Sequence, residues 1–163
     1  MMNSTIAEAI CRQIGIEFDS AYLYLALSAD MSAQGYRGAA HWLRLQCREE
    51  CEHALRLIDF LEQRGGTVTL SAIPGYPPQR RSLADTFRHT LEHERSITRS
   101  IDQLIELCLS EKDYASQHLL LAYASEQVQE ENAVTEIVDY IELCEGNTGG
   151  LMRVDAKLAE RRE

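Results

Sequence analysis

The chain has 163 residues, 45% of them hydrophobic and 26% charged, which is enough for one ordinary domain with a real core. Sixteen Lys and Arg against 26 Asp and Glu leave a net charge of −10, which argues against a surface built to neutralise nucleic-acid phosphates or anionic lipid and favours cations as partners. Three Pro and nine Gly exclude collagen-like or Pro-rich disorder, and the longest wholly apolar run, Leu119 to Ala124, is far too short for a membrane span.

Long stretches free of Pro and nearly free of Gly dominate, and in them apolar residues recur three and four apart rather than alternating, so every predicted element is a helix. The first runs from about Ser4, a candidate N-cap, to about Ser32 and breaks at Gly35 to Gly38. The second follows to about Arg64, where Gly65-Gly66 ends it. Residues 65–82, with Pro74, Gly75, Pro77 and Pro78, form one long connection, and Ser82 is placed to cap a third helix that continues to about Leu109. After a turn at Ser110 to Asp113 the fourth helix runs to about Cys144, GNTGG (146–150) terminates it, and a short fifth helix spans Leu151 to Arg162.

Connection length decides topology. Tight links make antiparallel hairpins of helices one and two and of helices three and four. A helix of about 28 residues is roughly 42 Å long, and an 18-residue connection stretches to roughly 59 Å, so residues 65–82 can cross the bundle end to end and leave helices two and three parallel. The expected fold is all-α: a four-helix bundle over 4–144 with one long crossover and a short fifth helix at 151–162, the whole chain 1–163 forming a single domain.

The heptad seams are interrupted by polar residues. The first reads Ile10, Ile14, Glu17, Ala21, Tyr24 and the second Leu43, Gln46, Glu50, His53, Leu57; the third carries Glu94 between Thr90 and Ile97, and the fourth Gln127 and Glu130 between Tyr123 and Val134. Glu17, Glu50, Glu94 and Gln127 all fall about halfway along helices of about 28 residues, so they reach one level whatever their direction. Glu50-x-x-His53 alone is common by chance, but convergence gives it weight. Glu17, Glu50, Glu94 and Glu130 in a bundle interior repel one another and are costly to desolvate, and no Lys or Arg shares these seam positions. Two divalent ions would balance the four carboxylates, and the imidazole of His53 selects a transition metal over Mg²⁺ or Ca²⁺. Iron or manganese suits this donor set better than zinc, whose structural sites are tetrahedral and rich in thiolate.

These stretches, GIEFDSAYLY (15–24), REECEH (48–53), EHERSIT (92–98) and SEQVQEEN (125–132), resemble the bacterial non-haem ferritins over nearly the whole chain. The resemblance implies an iron-storing ferroxidase that oxidises Fe(II) with O₂ or H₂O₂ at a di-iron centre inside each subunit and deposits ferric oxide in a homo-oligomeric cage, normally a 24-mer. It implies that Glu17, Glu50 and His53 hold the first iron and that Glu50 as bridge, Glu94 and Glu130 hold the second, with Gln127 beside them. Tyr24 matches the family's tyrosine that serves the oxidation; as an aromatic at a seam position it also suits plain core. A weaker third iron site implied at Glu49, Glu126 and Glu130 has Gln129 where the family has a further acid. No haem is expected, because the haem-binding relatives carry a second Glu-x-x-His and a methionine where this chain has Gln129, Glu130 and Cys51. His41, His89, His93 and His118 are assigned to structure or surface.

The five cysteines, Cys11, Cys47, Cys51, Cys108 and Cys144, form no C-x-x-C pair and no disulfide framework, and read as reduced, buried thiols; Cys47 and Cys51, four apart on one helix face, are either soft metal ligands or small core hydrophobes. With no secretory signal at the first residues, the expected address is cytoplasmic. The alternative function is another di-metal carboxylate enzyme without a cage, a rubrerythrin-like peroxidase or a manganese oxidase. The missing C-x-x-C disfavours the former. A metal-free helical interaction module and a DNA-protecting miniferritin are the remaining readings, the latter disfavoured by the lack of a basic N-terminal tail.

Overall fold

A computed structural model describes residues 3–144 and 146–162. Among the described residues there are five helices: α1 (Ser4–Ala33), α2 (Arg37–Gln63), α3 (Leu83–Ser110), α4 (Tyr114–Leu143) and α5 (Thr148–Leu158). None is long and apolar enough to cross a membrane.

The side chains that pack together fix the directions. One apolar cluster joins Leu27 and Met31 of α1, Ala39 and Leu43 of α2, Leu83 and Phe87 of α3, and Val134 and Ile141 of α4. A second joins Ile6 and Ile10, Leu57 and Leu61, Ile101 and Leu104, and Leu120 and Tyr123. Low numbers in α1 therefore meet high numbers in α2 and α3, so α1 is antiparallel to both, whereas α2 and α3 run parallel, as the long connection requires. The crossover tracks the outer face of α1. The Cys11 thiol donates to the Thr67 carbonyl, Tyr76 donates its hydroxyl to Asp19 at 2.7 Å, and Asp30 accepts from the backbone N–H groups of Gln79 and Arg80.

Three boundary expectations are corrected. The α1 cap is Asn3 and not Ser4, because the shorter reach of a serine hydroxyl is replaced by an amide oxygen that accepts from Thr5 N–H at 2.8 Å. The fifth helix starts at Thr148 rather than Leu151: Asn147 accepts from Gly150 N–H and caps a turn in which Gly149 and Gly150 are helical instead of terminating. It also ends at Leu158 rather than Arg162, freeing the last residues to fold back on α2. Four of the five cysteines are only half-buried, Cys108 alone lying in the core, and all five are free. Ser82 does cap α3, accepting from Asp85 N–H.

The N-terminus of α2 is capped from a distance. Tyr36 offers no capping side chain, and the Ala39 N–H instead donates to Asp155 of α5 at 2.7 Å. Gly38 permits this contact, because a Cβ there would run into the Asp155 backbone. Gly38, expected to belong to the break between the first two helices, thus lies in the first turn of α2 and is the seat of α5.

Candidate metal centre

Between the two apolar clusters lies a polar level to which all four long helices contribute. Gln13, Glu17 and Ser20 from α1, Gln46, Glu50 and His53 from α2, Thr90 and Glu94 from α3 and Gln127 from α4 are buried there. Each projects inward because it occupies the same helical stripe as its apolar neighbours above and below.

Glu17, Glu50 and His53 form the tightest group, each offering a ligand atom within 4.8 Å of the other two. The His53 Nδ1 faces this pair, 3.3 Å from Glu50 Oε2 and 3.9 Å from Glu17 Oε2. Its Nε2 faces away, 3.2 Å from Glu126 Oε2. That leaves Nδ1 as the ligand atom and makes Glu126 the carboxylate that orients the ring, an arrangement typical of metal-bound histidines. Tyr123 supports the same residue from below, donating its hydroxyl to the His53 carbonyl at 2.8 Å.

Hydrogen bonds tie in the remaining acids. Glu94 accepts from the Tyr24 hydroxyl at one oxygen and from Gln127 Nε2 at 3.0 Å at the other. The Gln46 amide donates to Glu50 at 3.2 Å and to Glu130 at 2.9 Å, while Gln13 donates to Glu17 at 2.7 Å. Glu17 Oε2 is buried and has no hydrogen-bond partner, the His53 ring standing too far off to donate to it. A completely enclosed carboxylate oxygen without a donor is a costly group, and a cation is the partner its geometry lacks.

Electrostatics agree. Burial, followed by repulsion from Glu50, pushes the Glu17 carboxyl up to about 8, and burial followed by repulsion from Glu94 does the same to Glu50. Glu94 and Glu130 are raised too, again chiefly by burial. Tyr24 is held well above the ordinary phenol range by burial and by Glu94. Carboxyls crowded in this way give up protons to a divalent ion that supplies the missing positive charge. The donor set of oxygens and one imidazole nitrogen suits iron or manganese.

All nine residues singled out in the sequence lie at or beside this level, but not on equal terms. Glu17, Glu50, His53, Glu94, Gln127, Glu130 and Tyr24 share the hydrogen-bonded interior. Glu49 and Glu126 lie at its edge, each paired with an arginine, Arg161 and Arg56. Among the histidines, His93 stacks edge-on against Tyr24 and bonds Ser20, and burial holds its ring neutral with a pKa of about 4.

The sequence reading gave no place to Gln13, Arg56 or Arg161, and put Gln46 on the inward seam without a role. Gln13 and Gln46 each stand four residues before an acid on the same helix face, a spacing that brings amide and carboxylate together and was the available signal. Arg161 lies 112 residues from Glu49, and no local pattern announces it.

A ferritin-like domain model matches residues 7–144. The bacterial non-heme ferritin of Bacteroides fragilis strain 638R is 34% identical over 99% of this chain and 100% of its own length. That of Campylobacter jejuni is 35% identical, covering 95% of this chain and 93% of its own. Among solved structures, an open-pore ferritin from Archaeoglobus fulgidus superposes with a TM-score of 0.97 at 36% identity, covering 99% of this chain and 98% of its own. The buried carboxylates therefore sit in a chain that belongs to the ferritin-like family.

Proposed function

We propose that the protein is an iron-storage ferritin whose subunit oxidises Fe(II) to Fe(III) at a two-ion centre and passes the product to a mineral held in a homo-oligomeric cage. The observation that carries this reading is the cluster of buried Glu17, Glu50, Glu94 and His53 with half-buried Glu130, drawn from all four long helices and including one carboxylate oxygen with no hydrogen-bond partner. Relatives named ferritin, similar over their full length, support the same role.

In this reading Glu17, Glu50 and His53 hold one ion, and Glu50, Glu94 and Glu130 the other, with Gln127 steadying Glu94. Carboxylate oxygens favour Fe(III) over Fe(II), and two adjacent ferrous ions give one electron each to O₂ or peroxide, avoiding one-electron release of radicals. Glu17 and Glu50 release their protons as ions enter, because a dication removes the repulsion that holds those protons in place. Tyr24, bonded to Glu94, positions that ligand and is near enough to take part in electron transfer. Gln46 and Gln13 aim the carboxylates before the ions arrive, which lowers the cost of forming the centre.

Assembly into a cage, of 24 subunits by family resemblance, accords with large apolar side chains left on the surface of the single chain. Tyr22, Leu25, Leu70 and Ile73 are exposed on α1 and the crossover, and Leu143 and Met152 at the α4–α5 end. The five free thiols suit a reducing compartment such as the cytoplasm.

Metal-free protein given Fe(II) in air tests the proposal. Oxidation faster than in buffer, an electron-dense core in micrographs and a particle many times the 18.5 kDa subunit in light scattering are expected. Oxidation at the buffer rate with no core would overturn it. A dimeric or monomeric particle that still oxidises metal would leave a cage-free di-metal enzyme instead.

A further inference from the structure

We infer that Arg56 and Arg161 are built-in cations that occupy the two carboxylates flanking the metal centre, so that each subunit binds two ions at this level and no third. This deepens the two-ion reading and depends on it. Arg56 lies one helical turn past His53 and grips Glu126 with both ends of its fork, Nη1 to Oε1 at 2.9 Å and Nη2 to Oε2 at 3.2 Å. Its guanidinium also lies 4.9 Å over the Tyr123 ring, which fixes its plane. Arg161 reaches in from the tail beyond α5. Its Nη2 meets Glu49 at 2.5 Å, its Nη1 donates to the side-chain amide oxygen of Gln46, Oε1, at 2.9 Å, and its Cζ stands 4.5 Å over Trp42.

Charge arithmetic follows. Glu49 and Glu126 contribute two negative charges, and Arg56 and Arg161 cancel both. Glu17, Glu50, Glu94 and Glu130 remain, and two dications balance those four. A further dication at the edge would meet no net negative charge. It would have to displace the Arg56 fork, bidentate on Glu126, and the Arg161 guanidinium, which holds Glu49 through one N–H and Gln46 through another. Glu130, the remaining acid within reach, already accepts from Gln46, and the neighbouring Gln129 side chain is uncharged and exposed. These ion pairs are partly exposed, with side chains 41% and 35% accessible for Arg56 and Glu126, so each is modest in strength and removable by substitution without harming the core.

Arg161 has a second effect. By taking the side-chain amide oxygen of Gln46 it leaves the amide NH₂ aimed inward at Glu50 and Glu130. The chain's last turn thereby positions a donor on two ligands of the centre, and Glu126, held by Arg56, is kept on the His53 ring instead of being free to bind metal itself.

Anaerobic calorimetric titration of the metal-free assembled protein with Fe(II) decides the matter. Wild type is expected to saturate at two ions per subunit, R56Q/R161Q at three with the third weaker, and R56K/R161K, which keeps both charges, at two. A third ion on wild type, or saturation of R56Q/R161Q at two, would overturn the inference. Should the double variant not fold, R56Q and R161Q are titrated singly, since both side chains are partly exposed: each frees one carboxylate, so a third, weaker ion on either supports the inference and saturation of both at two overturns it. Wild type binding fewer than two ions would instead defeat the two-ion centre, so the two failures are distinguishable.

Discussion

The apolar clusters and the polar level between them are made from the same four helices and the same inward stripe, yet they obey opposite rules. In the clusters each side chain gains by leaving water: Leu57, Leu61 and Ile101 are essentially inaccessible and pack within one apolar cluster. At the middle level Glu17, Glu50 and Glu94 are as deeply buried and lose by it, which their raised pKa values record. The ends of the bundle supply stability so that the middle can hold carboxyls that either keep their protons or, in the proposed function, exchange them for a bound cation. Binding capacity at this centre is thus a form of stored destabilisation, confined to one layer.

Substitutions should separate the two regions. Glu50→Ala removes the acid proposed to be shared by both ions, and Fe(II) oxidation followed by ferric absorbance is expected to fall by more than about 100-fold, since the proposed two-electron step needs both ions. Leu57→Ala, in the apolar cluster below, is expected to cost about 2–5 kcal/mol in denaturant unfolding while leaving the number of bound ions at two. If that variant lost metal as well, the two regions would not be independent. Gln46→Ala, which touches ligands but no ion, is expected to weaken metal binding by about 10- to 100-fold in a titration, the range for groups that orient ligands.

The pH dependence sharpens the contrast. Folded, metal-free protein keeps protons on Glu17 and Glu50 up to about pH 8, whereas unfolding returns both to the ordinary value near 4.5. The folded state then holds more protons throughout that window, so stability is greatest at the acid end and declines as pH rises from about 4.5 to 8. Thermal melts of metal-free protein should show that decline, Glu17→Gln should flatten it, and added Fe(II) under nitrogen should reverse it most strongly at the alkaline end. A melting temperature independent of pH in this range would mean that the carboxyls are not coupled as described. The smallest expected effect is Ser82→Ala at the α3 cap, about 1 kcal/mol, with no change in metal binding.

Much of this was legible in the sequence because helical periodicity is local. Polar residues interrupting four apolar stripes at mid-length gave the level at which the acids meet, and the 18-residue crossover 65–82 gave the parallel pairing of α2 and α3. What escaped was long-range or chemically ambiguous. Asp155 caps α2 from 116 residues away, and the contact depends on a glycine that reads as a breaker. Asn147 turns two glycines into a helix start, which propensity opposes. Glu49 and Glu126 read as metal ligands by resemblance, whereas the arginines beside them lie on the exposed flank of α2 and in the tail, where an arginine ordinarily signals only solvation.

The most direct test of the central claim is a crystal soaked in Fe(II) without oxygen and measured with anomalous scattering at the iron edge. Two peaks are expected per subunit, one among Glu17, Glu50 and His53 and one among Glu50, Glu94 and Glu130, with none at Glu49 or Glu126. Iron found only on surface acids, with the buried ring unchanged, would contradict the account.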